Sequence, residues 1–463
     1  MLTEAPAGRC LRRTFGMHIV IVGGGEIGLG VSRTLAPRHD VTVIDHAPAI
    51  ADRFSTLDVQ VVIGNGTNPD VLRQAGVDTC DFLIAATGVD EVNVLAALIA
   101  RRLGSPKTIC LTSRDDLLQP LGGRDLLREH VGVDRVVWPE GELAENIGRI
   151  VAVPGALDAE TFAQGRVALL EYRVEARSRL VAAPLSSVHL PQGVLIVAVR
   201  RHDHVLIPDG TTTLEAGDKV FVMGLASAVA DVRKLFHADK APTHQRVTII
   251  GGGDVGLLLA QRLDARPDVD VCVIERNPVR GEAIAARLSG ALILCGDGTD
   301  VELLQAEDIG RSDVVVSVVD CDERNLLTSL LARELGVRRV IARVTRPANL
   351  RLFERMGVDV ALSARGAAIA AIAHHIEGGP WSLLAVLEEG QARVIEVQVP
   401  AGYPPTVLQT IDVLRGSIVG AVLRGDAVVV PGGGDTIRGG DRLLVVTTGS
   451  EAEALRRQFS PPA

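Results

Sequence analysis

Residues 18–48 read HIVIVGGGEIGLGVSRTLAPRHDVTVIDHAP, and residues 246–278 read RVTIIGGGDVGLLLAQRLDARPDVDVCVIERNP. Each stretch has an apolar run, then Gly-x-Gly-x-x-Gly, then a helical pattern, and then a second apolar run that ends in an acidic residue. This succession is typical of the βαβ unit that opens a dinucleotide-binding Rossmann fold. Because it occurs twice, the sequence predicts two such domains in one chain.

The repeat extends well beyond these stretches. Three further pairs of segments correspond: GNGTNPDVLRQAGV (64–77) with GDGTDVELLQAEDIG (296–310), DEVNVLAALIARRLG (90–104) with DERNLLTSLLARELG (322–336), and IPDGTTTLEAGDKVFVMG (207–224) with VPGGGDTIRGGDRLLVVTTG (430–449). The last pair follows runs that alternate like half-buried strands. The predicted fold class is therefore α/β, with two tandem Rossmann-like parallel-sheet domains, each followed by a small β-rich α+β domain.

Turn-rich segments place the predicted boundaries. The predicted parts are a disordered extension at 1–16, Rossmann-like domain 1 at 17–153, a β-rich domain at 156–238, Rossmann-like domain 2 at 245–377 and a second β-rich domain at 381–461. In the first Rossmann-like domain, strands are predicted at 18–22, 41–45, 59–63, 82–85, 108–112 and 135–137, followed by a helix at 140–151.

The composition excludes several classes of function. Of the 463 residues 47% are hydrophobic and only 3% aromatic, which indicates the aliphatic cores of helix-covered parallel sheets. The formal net charge of −9 argues against non-specific nucleic-acid binding, so no nucleic-acid partner is predicted. No apolar run reaches the ~18 residues of a membrane-spanning helix. Any link to a membrane is therefore expected to come through a partner.

The cysteines and histidines do not predict a metal site. None of the six cysteines forms a C-x-x-C pair, and the eleven histidines lack the spacing of metal ligands. We interpret the cysteines as small buried side chains of a protein in a reducing cytosol.

The glycine loops are the strongest indication of function. Gly23, Gly25 and Gly28 follow the first strand, and Gly251, Gly253 and Gly256 take the same places in the second copy. The first glycine allows a tight turn, the second lets backbone approach a pyrophosphate, and the third packs helix on strand. The helix N-terminus then attracts the phosphates. The alternative is a pair of glycine-rich turns in sheets that bind nothing.

An acidic residue ends the second strand of each copy. Asp45 lies 17 residues after Gly28, and Glu275 lies 19 residues after Gly256. A carboxylate there accepts hydrogen bonds from ribose hydroxyls and repels a 2′-phosphate, which favours NAD(H) or an adenine nucleotide over NADP(H). Alternatively, the acid caps the helix that follows.

Further candidates follow the third and fourth strands, at the carboxyl edge where doubly wound sheets bind ligands. Asn65 and Asp297, in Gly-x-Gly-Thr turns, are candidates for contact with the adenosine half. The alternative is a plain turn followed by a threonine N-cap. Thr87-Gly88 and Asp320 follow the fourth strand of their copies.

Arg343 lies in the fifth strand of the second copy and is a candidate partner for phosphate. Its counterpart in the first copy is Leu111, so the two sites are expected to differ in affinity or ligand. The alternative is a solvated, structural arginine.

The sequence predicts no catalytic residues. The β-rich domains are short and poor in groups that serve as acid, base or electrophile, and no Walker A loop is present. We therefore interpret the chain as a binding protein and not an enzyme.

These motifs, in this duplicated order, resemble the RCK (regulator of potassium conductance) family, in the tandem form found in the peripheral subunit of bacterial Trk potassium-uptake systems. The resemblance covers about residues 17–460. It implies binding of NAD(H), and of ATP or ADP, in the Rossmann clefts. It also implies a homo-oligomeric ring, expected to be a tetramer. The ring would lie in the cytoplasm on the inner face of the cell membrane, held there by a TrkH- or TrkG-like potassium-translocating subunit whose pore it opens or closes.

The resemblance also implies the site residues by motif. They are Gly23, Gly24, Gly25, Glu26, Ile27, Gly28, Asp45, Asn65, Thr87 and Gly88 in the first copy, and Gly251, Gly252, Gly253, Asp254, Val255, Gly256, Glu275, Asp297, Asp320 and Arg343 in the second. Two departures weaken the first site: Leu111 stands where the family has arginine, and Asn65 where it often has an acid or histidine. The alternative functions are a duplicated NAD-dependent oxidoreductase and a nucleotide-sensing regulator of another transporter.

Overall fold

The computed structural model describes most of the chain. The described residues are 16–104, 107–113, 131–181, 183–202, 204–229, 232–236, 244–376, 381–388, 391–411, 416–448, 451, 455, 458 and 459. The chain folds into two compact units, one of Met1–Pro139 with Ala371–Ala373 and one of Glu140–Ala370 with His374–Ala463. The extension predicted at 1–16 and the segments between the predicted domains at 239–244 and 378–380 lie almost wholly outside the described residues.

The first unit contains a doubly wound parallel sheet. Its strands are β1 (His18–Val22), β2 (Asp40–Asp45), β3 (Gln60–Ile63), β4 (Phe82–Ala85), β5 (Lys107–Leu111) and β6 (Arg135–Val137), in the spatial order β3-β2-β1-β4-β5-β6. Its described helices are α1 (Glu26–Leu35), α2 (Ile50–Phe54), α3 (Pro69–Gln74) and α4 (Asp90–Leu103). The winding direction reverses between β1 and β4, which opens a crevice beyond their carboxyl ends. The six predicted strands are confirmed to within one residue.

The second unit begins with a helix and a β-rich domain. Its elements are α5 (Pro139–Ala152), β7 (Asp158–Phe162), β8 (Val167–Arg173), β9 (Val194–Arg201), β10 (His204–Leu206), β11 (Lys219–Leu225), α6 (Ala226–Val229) and α7 (Arg233–Phe236). The five strands form an antiparallel sheet in the order β10-β9-β11-β8-β7. The helix predicted at 140–151 is confirmed as α5.

The second parallel sheet repeats the topology of the first. Its elements are β12 (Gln245–Ile250), α8 (Asp254–Asp264), β13 (Val269–Glu275), α9 (Pro278–Ala285), β14 (Leu292–Cys295), α10 (Val301–Ala306), β15 (Val314–Ser317), α11 (Asp322–Glu334), β16 (Arg339–Arg343), α12 (Leu350–Arg355), β17 (Val360–Leu362) and α13 (Ala364–Ile376). The strand order is β14-β13-β12-β15-β16-β17, so the crevice opens between β12 and β15.

A second antiparallel sheet ends the chain. The strands of this part of the chain are β18 (Trp381–Leu387), β19 (Ala392–Gln398), β20 (Thr406–Val407), β21 (Ser417–Arg424), β22 (Ala427–Val429), β23 (Thr436–Ile437) and β24 (Arg442–Thr448). The order is β18-β19-β24-β21-β22, with β20 and β23 as a separate pair. The two β-rich domains share one aliphatic core, in which Leu169 and Phe221 of the first lie with Val394 and Leu444 of the second.

Helix α5 packs on the second Rossmann sheet. One buried core contains its side chains Leu143, Ala144, Ile147, Ile150 and Val151 together with Val247, Ile249, Val271 and Val314 of the sheet. Arg339 at the start of β16 donates to the carbonyls of Ile150, Val153 and Ala156, and so satisfies backbone groups at and after the end of α5. This helix therefore belongs to the fold of the second unit, although the sequence placed it in the first Rossmann-like domain.

Within the described residues, no helix is both long and apolar enough to cross a bilayer.

Candidate nucleotide-binding clefts

Two of the three motif glycines are required by the fold itself. Gly23 has a φ of 105°, and a Cβ on it would lie 2.7 Å from the carbonyl oxygen of Ala86. A Cβ on Gly28 would lie 1.9 Å from the carbonyl oxygen of Gly23. Gly251 and Gly256 repeat this, with a φ of 106° at the first and a 1.9 Å approach at the second. These glycines bring strand, turn and helix into contact.

The middle glycine is different in both copies. Gly25 and Gly253 have ordinary φ values of −64° and −70°, and a Cβ built on either meets no atom within 4 Å. Neither conformation nor packing within the chain therefore demands glycine there. Each is also the N-cap of its helix, so the first-turn N–H groups receive no side-chain cap from this position. The open space ahead of these N–H groups fits a phosphate that approaches the helix N-terminus.

The strand-end acids bind the glycine loops. Asp45 accepts hydrogen bonds from the N–H of Gly24 (2.7 Å) and of Ala47 (2.9 Å). Its other neighbour is His46, whose Nδ1 lies 3.4 Å from Oδ1. The alternative that Asp45 caps the next helix is wrong, because the N-cap of α2 is Ala49.

Glu275 reproduces this arrangement. It accepts from the N–H of Gly252 (2.8 Å) and of Asn277 (2.8 Å), and the N-cap of α9 is Asn277. A carboxylate oxygen accepts more than one hydrogen bond, so both acids can hold the loop and still receive a ribose hydroxyl.

The Gly-x-Gly-Thr loops are Asx turns. Asn65 accepts from the N–H (2.9 Å) and the hydroxyl (2.8 Å) of Thr67. Asp297 accepts likewise from Thr299, and the guanidinium of Arg324 lies 2.7 Å from its second oxygen. These bonds, the backbone bond from Thr299 first, lower the pKa of Asp297. The threonine N-cap proposed as the alternative is wrong, because the caps of α3 and α10 lie one residue further on.

Two buried asparagines that sequence reasoning missed hold the other side of each crevice. Asn93 donates to the carbonyls of Thr87 (3.1 Å) and Leu111 (3.0 Å) and accepts from the N–H of Thr87 (2.8 Å). It thus ties the end of β4 to β5 beside Gly88, where a Cβ would also meet open space.

Asn325 does the same in the second copy, with bonds to the carbonyls of Val319 (2.8 Å) and Arg343 (2.9 Å). Both asparagines are fully buried. The signal was present in the sequence as the repeated Asp-Glu-x-Asn at 90–93 and 322–325.

Arg343 is not the solvated arginine of the alternative interpretation. Its side chain is 15% exposed, forms an ion pair with Asp320 and lies 3.9 Å from Glu140 of α5. Its counterpart Leu111 is buried and apolar. The second cleft therefore has a cation that the first lacks in this place.

The remaining motif positions divide into surface and core. Glu26 is exposed and pairs with Arg53, whose guanidinium lies 2.5 Å from its carboxylate. Asp254 is also exposed, Ile27 is half-buried and Val255 is buried. The two hydrophobic positions thus anchor their helices.

The described cysteines are partly as expected. Cys80, Cys110 and Cys272 are buried, but Cys295 is exposed and Cys321 half-buried. Burial raises the pKa of Cys110 to about 12 and of Cys272 to about 11, so neither is a ready nucleophile. In the part of the chain that the structure describes, no group of three or more His, Cys, Asp or Glu side chains is arranged to hold a metal ion.

Comparison with known families covers most of the chain. Residues 19–139 and 247–364 match the TrkA-N domain, and residues 169–237 and 394–460 match the TrkA-C domain. A Trk system potassium uptake protein TrkA homolog of Archaeoglobus fulgidus is 37% identical over 96% of this chain and 100% of its own length. The Trk system potassium uptake protein TrkA of Azorhizobium caulinodans is 31% identical over 96% of this chain and 98% of its own.

Solved structures share the fold. The GsuK RCK domain superimposes with a TM-score of 0.57 at 22% identity, over 99% of this chain and 98% of its own. The GsuK channel bound to NAD superimposes with a TM-score of 0.58 at 20% identity, over 97% of this chain and 80% of its own.

Proposed function

Because this chain belongs to the TrkA family, we propose that it is a cytosolic regulatory subunit that binds NAD(H) or an adenine nucleotide in each Rossmann cleft and gates a membrane potassium-uptake protein. The expected partner is a potassium-translocating subunit of the TrkH or TrkG kind, beneath which copies of the chain would form a ring. The nucleotide acts as a ligand in this proposal, and the chain performs no catalytic turnover.

The observation that carries the proposal is the open space at Gly25 and Gly253. A glycine that the fold does not need, at the N-terminus of a helix and at the switch point of a parallel sheet, is explained by a ligand whose phosphates approach the backbone. The same feature in both copies argues for two sites per chain.

The surrounding residues fit a dinucleotide. Asp45 and Glu275 lie against the glycine loops, where an acid accepts from ribose and repels a 2′-phosphate, so NAD(H) is favoured over NADP(H). Asn65, Thr87 and Gly88 follow the carboxyl ends of β3 and β4, and Asp297 and Asp320 have the corresponding places in the second copy. NAD in the GsuK channel, which shares the fold, is consistent with this assignment.

Gating follows from linkage. A ligand changes the balance between two conformations only by its difference in affinity for them. The second cleft is suited to this role because the helix α5, the Rossmann sheet and both β-rich domains form one compact unit. A change at this cleft can therefore be transmitted to the β-rich domains.

The test is nucleotide binding to the purified chain by calorimetry, with Gly25→Asp and Gly253→Asp as variants. The added carboxylate has room in the protein but would occupy the phosphate position and repel phosphate, so each variant should fold normally and lose one of two sites. Affinity at that site should fall by at least about 100-fold, in line with ~3 kcal/mol for an unpaired like charge.

The matched control is Gly434→Asp, which adds the same side chain at an exposed glycine of the second β-rich domain where a Cβ also meets open space. It should bind like the native chain. If native protein binds none of NAD, NADH, ADP and ATP, or if both cleft variants bind normally, the proposal is wrong. Potassium uptake by reconstituted partner with and without the bound nucleotide then tests gating.

A further inference from the structure

Glu140 lies in the second cleft, although the sequence gives no sign of it. It is the second residue of α5, and its carboxylate is 3.9 Å from the guanidinium of Arg343. The two side chains are 27% and 15% exposed, so solvent screens the pair only partly.

The charge around Arg343 is predominantly negative. Burial raises the pKa of Glu140, and the nearby carboxylates of Asp254 and Asp320 raise it further, against the lowering effects of its own backbone hydrogen bond and of Arg343. These groups come from four elements: α5, the start of α8, the loop after β15 and the end of β16. Arg343 thus has two carboxylates beside it, and a third, that of Asp254 at the start of α8, lies close enough to Glu140 to raise its pKa. The N-terminus of α8 is where a phosphate would bind.

We propose that Glu140 sets the charge selectivity of the second cleft, so that it admits a dinucleotide such as NAD and resists the more highly charged ATP. This inference rests on the proposed nucleotide binding. In the chain as described, Arg343 already has anionic partners in Glu140 and Asp320. A phosphate that reaches Arg343 must compete with them, and the repulsion from Glu140 grows with each negative charge on the ligand.

The arrangement is specific to one copy of the repeat. In the alignment of VDRVVWPEG (133–141) with VDVALSARG (358–366), the counterpart of Glu140 is Arg365. The counterpart of Arg343 is Leu111. Neither member of the acid–arginine pair is therefore kept in its repeat-related position, so the selectivity belongs to the second cleft alone.

Glu140 also connects the second cleft to the packing of helix α5. Three residues after Glu140, α5 begins its buried contacts with the second sheet through Leu143, Ala144 and Ile147. A ligand that displaces Glu140 from Arg343 therefore acts directly on the first turn of this helix.

The experiment uses the full chain with Gly25→Asp, so that only the second cleft binds. Calorimetric titrations with NAD, ADP and ATP, without divalent cations, compare this protein with the same protein carrying Glu140→Gln. We expect ATP affinity to rise roughly tenfold, ADP affinity less and NAD affinity by no more than about twofold, as for removal of one partly screened charge.

The matched control is Glu145→Gln. Glu145 lies on the same helix, is 47% exposed and pairs with Arg149 and Arg262, so its loss changes the net charge equally without touching the cleft. It should leave all three affinities unchanged. Glu140→Asp, which keeps the charge, should retain the discrimination against ATP.

The outcomes separate the two proposals. An equal rise for all three ligands, no change, or a fall in ATP affinity in Glu140→Gln would show that Glu140 does not select by charge. If the native chain binds no nucleotide, the proposed function itself fails. The melting temperature shows whether Glu140→Gln is folded. If it is not, the native and Glu140→Asp proteins still test the inference, because a protein with Glu or Asp at this position should bind NAD more tightly than ATP. Equal affinities for ATP and NAD in both proteins would overturn the inference.

Discussion

The two clefts have the same backbone and different charges. Both have glycines with φ near 105° after the first strand, an acid bound to the loop, and a buried asparagine that ties the fourth strand to the fifth. Yet the first has buried Leu111 where the second has Arg343 among carboxylates. The groups that shape the loop are thus the same in both copies, whereas the charges at the end of the fifth strand differ. Three pairs of matched substitutions compare the two copies of the repeat, beginning with the largest expected effect.

The glycine closest to backbone should be equally indispensable in both copies. Gly28→Ala and Gly256→Ala would each place a methyl group 1.9 Å from a carbonyl oxygen. The clash is severe because this oxygen belongs to the backbone and cannot move aside as a flexible side chain could. We expect each to cost about 3 kcal/mol or more, while Gly253→Ala, in open space, stays within about 0.5 kcal/mol. Chemical denaturation of the apo chain measures both. A tolerated Gly256→Ala with a costly Gly28→Ala would break the equivalence of the loops.

The two buried asparagines should contribute equally to the free energy of unfolding. Asn93→Ala and Asn325→Ala would each leave buried backbone groups of two strands without partners, at about 2 kcal/mol per copy. The melting temperatures of the two variants should fall by similar amounts. As a control, Asn68→Ala removes a surface helix cap and should cost about 1 kcal/mol. A much larger loss in Asn325→Ala would mean that Asn325 has a further role, such as supporting Arg343.

The smallest expected effect on stability concerns the β-rich domains. An ion pair occurs at the same place in both domains but is more buried in the first. Glu171 faces Lys219 at 3.1 Å, and Lys219 also lies 3.4 Å from Glu354 and 3.6 Å from Glu388. The corresponding pair is Glu396 with Arg442, whose side chain is 45% exposed. Further acids thus enclose the first pair, whereas the second is partly open to solvent.

The pKa of Glu171 is raised from 4.5 to about 7. Burial is the main cause, and the negative charges of Glu388 and Asp158 add to it, whereas Lys219 has the opposite effect. Arg200, which pairs with Glu388, completes the charged groups of this cluster. Because the folded chain holds this proton more tightly than the unfolded chain, stability is lost as pH rises from about 4.5 through about 7.

We therefore expect the melting temperature of Glu171→Gln, relative to the native chain, to rise by a few degrees between acidic and mildly basic buffer. Asp158, whose pKa burial raises to about 6, is present in both proteins and so contributes to both curves. Glu396→Gln is the matched control for loss of the equivalent carboxylate. A pH-independent difference for Glu171→Gln would contradict the assignment.

The sequence predicted what local patterns determine. Apolar runs placed the first six strands within a residue, and the glycine spacing predicted both crevices. It did not predict the polar side chains that hold the crevices, because Asn93 and Asn325 reach across from helices to two strands. Glu140 was missed for a further reason: its partner Arg343 is about 200 residues away, and only packing of α5 on the second sheet brings them together. The exposure of Cys295 likewise depends on which face of an edge strand is left uncovered.

Helix α5 has a consequence for any attempt to divide the protein. The sequence invites a cut after the first predicted Rossmann-like domain, at about residue 155, to produce the rest of the chain alone. Such a fragment would lose Leu143, Ile147 and Ile150 and leave Val247, Ile249 and Val314 facing water, together with the guanidinium of Arg339 that caps the helix. The boundary predicted from the sequence and the boundary of the compact unit therefore differ by one helix, α5. Expression of the second compact unit alone should start before Pro139, inside the first predicted Rossmann-like domain.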